Sequence, residues 1–141
     1  MPLYRYERPR AKHPFLGTWH IIEMELWDAE YMHMERQAYV EIEPGDHGTF
    51  QFGLVWGELH GYLEEEGATQ RFAFTWEGND EMDPASGSGW MRLETEDTAV
   101  GRIAIHRGDH SRFTARRVPP RPVSGRRATG ADDGASRRRR R

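Results

Sequence analysis

The sequence contains no cysteine, which removes disulfide scaffolds, thiolate zinc sites and cysteine nucleophiles from consideration. Lysine is nearly absent: Lys12 stands against nineteen arginines, a bias that points to a GC-rich bacterial genome. No apolar run approaches the ~20 residues that a membrane-spanning helix requires, so no membrane association is expected. Met1 to Lys12 is charged and is not followed by the apolar core of a secretory signal; a cytoplasmic location is the expectation.

What is present is a chain of 141 residues with 15 Gly and 11% aromatic side chains, a size for one domain and a composition suited to a turn-rich β protein. The modest net charge of -3 hides an asymmetry. Residues 1–12 form a basic arm of net +3, with Arg5, Arg8, Arg10 and Lys12 against Glu7. Residues 13–115 carry six Arg against twenty Asp and Glu, a net charge of −14. Residues 116–141 carry ten Arg against Asp132 and Asp133, a net charge of +8. This last segment holds almost no large apolar residues and is broken by Pro and Gly, so a disordered tail is expected. Clustered Arg can release counterions from phosphate, but no aromatic residue is interleaved with the tail arginines to stack on bases. Nucleic-acid binding is expected, if anywhere, only through that tail.

From Thr18 onward, hydrophobic residues alternate with period two and turn residues recur every eight to twelve positions, the pattern of an all-β sandwich or barrel. Strands are expected over 17–24, 38–43, 49–52, 55–63, 70–76, 90–94, 100–106 and 110–116, with a short helix over 28–34 that Asp28 caps. A long loop is expected from Gly78 to Gly89. Eight short sequential strands without a crossover helix favour a closed, antiparallel, up-and-down barrel, because closure removes exposed edges. A sandwich is the alternative.

Leu16-Gly17-Thr18-Trp19, at the start of the first strand, resembles the Gly-x-Trp opening of lipocalin-like (calycin) barrels. The resemblance implies that Trp19 plugs the closed end and that an arginine of the last strand, Arg112 or Arg116, stacks on it. A longer pattern looks like a family of small bacterial proteins. It comprises Phe52-Gly53, Phe74 to Pro84, Gly87-Ser88-Gly89-Trp90, Gly101-Arg102-Ile103 and His106 to Phe113. That resemblance spans roughly residues 15–115 and implies a fold, not an activity.

Several segments have the residue types of a functional site. Asn79, Glu81 and Asp83 have the alternation of a calcium loop, but Pro84 and Trp90 stand where such a loop needs Gly and Glu; no metal is expected. Among His13, His20, His33, His47, His60, His106 and His110, no pair has His-Glu-x-x-His spacing. A site assembled from separate strands is still open, for instance His60 with Glu58 and His106, and such a pair can act as a general base. Ser86-Gly87-Ser88-Gly89 is not a nucleophile elbow, since no helix follows. Arg107-Gly108-Asp109 reads as a hairpin turn. No nucleophile–base pair is legible, so an enzyme is not favoured, and no cofactor is expected.

Two readings follow. In the first, the barrel binds a small apolar or aromatic ligand beneath the 78–89 loop. Trp56, Trp76 and Trp90 then supply contact area, while Glu58, His60, Glu77, Asp80, Glu81 and His106 orient the ligand. In the second, the barrel is filled by its own side chains, as is common for eight strands. It then serves as an interaction module that meets a basic protein partner with its acidic surface, its Arg-rich tail adding a tether.

Overall fold

The computed structural model describes residues 13–119; the expected basic arm over 1–12 and the expected tail from residue 120 onward lie outside the described residues. The chain forms β1 (Gly17–Met24), α1 (Ala29–Met32), β2 (Tyr39–Glu43), β3 (His47–Phe52), β4 (Val55–Glu66), β5 (Thr69–Asp80), β6 (Asp83–Leu93), β7 (Thr98–Ile105) and β8 (His110–Arg117). Each strand pairs antiparallel with the next, and β1 pairs with β8 from Trp19↔Arg117 to Met24↔Phe113. The eight strands thus close an up-and-down barrel, which excludes the sandwich.

Alternation decides which side chains enter the barrel, since successive residues of a strand point to opposite faces. Trp19, Ile21, Val40, Ile42, Phe50, Phe52, Phe72, Phe74, Trp76, Met91, Ile103 and Phe113 are all buried. A register shift between Ile21 and Glu23 breaks the alternation of β1. The extra residue of such a bulge resets which side faces inward, so Ile22 is exposed while Met24 is buried.

The interior is filled by aromatic rings lying where glycines leave room. A Cβ on Gly89 would fall 2.5 Å from the Phe74 ring, and one on Gly101 would fall 2.5 Å from the Phe113 ring. Neighbouring rings also pack on one another, with Phe50 edge-on to Trp76 at 5.0 Å. Each such side chain contributes about 1.5–3 kcal/mol on leaving water.

Both ends of the barrel are covered. At one end Phe15 lies buried beneath the strands, and the Trp19 indole donates to its carbonyl at 3.0 Å. The Arg117 guanidinium lies 4.3 Å from the Trp19 ring and donates to the carbonyls of Leu16 (3.1 Å) and Pro14 (2.8 Å). At the other end Trp27 packs 4.9 Å from Phe52, and the Tyr31 hydroxyl accepts from Leu54 N at 3.3 Å.

Four expectations need correction. The stacking arginine is Arg117, not Arg112 or Arg116, because β8 runs to Arg117 and only its odd-numbered residues face inward. Strand β8 therefore runs past the 115/116 boundary set from composition, since Arg116 and Arg117 pair with β1. Residues 78–89 are not a loop: β5 and β6 pair from Asp80↔Asp83 through Arg71↔Arg92, leaving Glu81 and Met82 as the turn. Gly and Ser are poor strand formers in isolation. In β6 they are retained because glycines on the inner face admit the rings of β5. Finally, α1 is shorter than expected, at four residues, although Asp28 does cap it by accepting from Tyr31 N at 3.0 Å.

Candidate functional site

The register that fills the barrel also decides what its outer surface carries. On β4 the outward residues are Glu58, His60 and Tyr62; on β5, Arg71, Ala73, Thr75 and Glu77; on β6, Ser86, Ser88, Trp90 and Arg92. Cross-strand pairing aligns them in rows. One row runs His47, His60, Thr75, Ser88, Ala104, His110 across six strands. A second runs Tyr62, Ala73, Trp90, Arg102, Arg112.

An open groove of about 950 Å³ lies over the first row. Its middle carries the small side chains Thr75, Ser86, Ser88 and Ala104, flanked by Glu58, His60 and Glu77 on one side and by His106, Arg107 and His110 on the other. Glu58 and Glu77 stand directly opposite each other on β4 and β5, and both are exposed. Like charges so placed repel, and among the described residues neither carboxylate has an ion-pair partner.

Five of the nine residues singled out from the sequence border this groove: Glu58, His60, Trp76, Glu77 and His106. Trp76 does so from within the wall. Its side chain is 3% exposed, and its indole N–H reaches past Gly87 to donate to the Ala104 carbonyl at 3.3 Å. The other four lie elsewhere. Trp56 and Trp90 are half-buried on the outer face, so the three tryptophans do not share a pocket. Asp80 ends β5, half-buried and paired with Asp83, and Glu81 lies in the exposed β5–β6 turn, where it takes the left-handed conformation at φ 64. The 78–89 segment, expected as a loop over a pocket, is strand wall apart from Glu81 and Met82.

Sequence reading missed Ser86, Ser88, Arg107 and His110. The alternation in Ser86-Gly87-Ser88-Gly89 carried the signal, glycines inward and serines outward, but it has meaning only once the inner face is known. Glu58, His60 and His106, a combination left open by the sequence, all border this groove. Among the described residues, no group of three or more His, Asp or Glu is placed to hold a metal ion.

Beside the groove the outer face changes character. Arg71 and Arg92 are directly opposed on β5 and β6, and Arg102 and Arg112 on β7 and β8. Both the Arg71 and Arg92 guanidinium carbons lie 5.5 Å from the Trp90 ring centroid. Arg71 also donates to Glu64 (2.8 Å) and Glu66 (3.4 Å). The hydrogen bond to Glu64 raises its pKa above the ordinary arginine value. Among the described residues Arg92, Arg102 and Arg112 have no carboxylate partner; Arg102 instead meets His110 Nδ1.

Comparison of the chain with protein-family models, with curated proteins and with solved structures finds no match.

Proposed function

We propose that this protein is an interaction module that works from the outside of a filled barrel. The observation that carries this reading is the division of the chain's chemistry. The lumen is packed with aromatic rings against inward glycines, whereas the groove-lining Glu, His, Ser and Arg side chains face outward. The first of the two sequence readings, a small apolar ligand held inside, loses its expected mouth and two of its three tryptophans.

The opposed Glu58 and Glu77 carboxylates favour a basic protein partner at that edge of the groove, since a cationic side chain placed between them relieves their repulsion. The stack of Arg117 on Trp19 at the closed end supports a calycin-like relationship, and with it an origin in the small bacterial family that the sequence resembles. A cytoplasmic setting is consistent with the absence of cysteine.

Native mass spectrometry of the freshly purified chain tests the filled lumen. The expected spectrum shows the polypeptide mass alone, and a retained small molecule lost on denaturation overturns the reading. Titration with an arginine-containing peptide tests the edge. Glu58→Gln with Glu77→Gln is expected to weaken binding in a salt-sensitive way, and unchanged binding removes the basic partner from this site.

A further inference from the structure

The arginines of the barrel are not scattered. Residues 13–115 hold six arginines within a net charge of −14. Four of them, Arg71, Arg92, Arg102 and Arg112, occupy consecutive strands on one outer face as two directly opposed pairs. Random placement on an acidic surface would set each arginine among carboxylates. Here two guanidinium pairs face each other across adjacent strands, an arrangement that costs stability. Among the described residues only Arg71 is compensated, by Glu64 and Glu66. The pairs lie in two neighbouring rows, Arg71 with Arg92 and Arg102 with Arg112, and across four strands at the ordinary spacing of about 4.8 Å they span roughly 14 Å. Several anionic groups of one chain fit along this span.

Two aromatic residues lie within this face. Trp90 stands in the same row as Arg102 and Arg112 and is flanked by the Arg71 and Arg92 guanidinium groups. Tyr62 lies in that row two strands away, 57% exposed. Arginine stacked on a ring is fixed in position while its N–H edges stay free to donate. An exposed ring beside such arginines is what unpaired bases stack on. The interleaving of arginine and aromatic residues that the tail lacks is thus built on the barrel by pairing residues from β4 to β8.

From this juxtaposition we infer that the outer face over β4–β8, centred on Arg92, Trp90 and Arg102, binds single-stranded nucleic acid. Its arginines meet phosphates, and Tyr62 stacks on a base. Duplex is the poorer ligand, because its bases are already stacked and the face offers no protruding helix or ribbon to enter a groove. An acidic protein would satisfy the arginines but leave the exposed ring without a role. This inference rests on residues other than Glu58 and Glu77, so it stands or falls separately from the basic-partner reading.

The test is fluorescence anisotropy of a labelled oligodeoxythymidylate with the full chain, so that the C-terminal arginines are present in every variant. Arg92→Glu with Arg102→Glu is expected to weaken binding at least tenfold. Loss of two phosphate contacts should also flatten the slope of log K against log salt by about 1.4. Tyr62→Ala, an exposed position with little bearing on folding, is expected to weaken binding by roughly tenfold without changing that slope. Arg92→Lys with Arg102→Lys keeps the charge and should retain most of the affinity, which separates lost contacts from lost folding. Unchanged affinity in the charge-reversed variant places any binding in the tail and overturns the inference. So does equal competition by polyglutamate, which would mark an acidic protein as the partner, and so does a preference for duplex.

Discussion

Arg117 is the residue whose removal most directly tests how the barrel is closed. Its guanidinium lies over Trp19 at 4.3 Å and donates to three backbone carbonyls, those of Glu96 (3.0 Å), Leu16 (3.1 Å) and Pro14 (2.8 Å). It therefore straps the 13–16 segment and the β6–β7 turn to the end of the sheet. A hydrogen bond from a charged donor contributes about 1.5–3 kcal/mol when buried. The side chain is 22% exposed, so about 1 kcal/mol per bond is the better figure. Adding about 1 kcal/mol for the stack, and allowing water to reach some freed carbonyls, Arg117→Ala should cost about 3 kcal/mol. For a domain of this size that lowers Tm by roughly 12–20 °C, and it should shift the urea midpoint without changing m. Arg117→Lys keeps the charge but offers a compact ammonium in place of the planar fork, and should cost about half as much. Because the partners are neutral carbonyls and a ring, the loss should be the same in 1 M salt as at low salt. Among the described residues its one charged contact, Asp97 at 3.8 Å, is itself 72% exposed. A destabilisation below about 1 kcal/mol would refute the strap; one that vanishes in high salt would assign the effect to Asp97.

The remaining predictions use the same denaturation assays. Trp76→Ala should cost about 3–5 kcal/mol, because it empties a filled interior, whereas Trp56→Ala on the outer face should cost under about 1 kcal/mol; equal losses would contradict the assignment of faces. Gly89→Ala should destabilise by about 1–3 kcal/mol through overpacking against Phe74, and a neutral result would mean that the ring is free to move aside. Truncation after Pro119 keeps every described strand pair and should leave the melt unchanged, while truncation after Arg116 should reproduce the loss seen in Arg117→Ala. Identical melts for the two truncations would remove Arg117 from the closure.

The alternation of Val40 with Ile42, of Phe50 with Phe52, and of Phe72 with Phe74 and Trp76 announced strands with one apolar face, and the absence of any crossover helix announced antiparallel neighbours. A local pattern of this kind survives folding because burial of one face rewards it at every second residue. The Ser-Gly segment of β6 carries a loop-like composition for the converse reason. Its strand character comes from the rings of β5 lying against Gly87 and Gly89, a contact between residues that no local preference encodes.

The site followed the same division. Glu58, His60 and His106 were visible as polar residues on otherwise apolar strands, and a site joining them was open from the sequence. Which face they occupied was not legible, since a period of two places the residues on alternate faces without saying which face is inside. The sequence by itself determined that this chain is all-β and that an acidic body lies between basic ends, and it favoured a closed barrel while leaving a sandwich open. Only the tertiary structure decided that its rings point inward onto glycines, that the stacking arginine is Arg117, and that four arginines and two aromatic side chains share one outer face. The physical reason is that cross-strand register, and not sequence distance, sets which side chains are neighbours in a sheet.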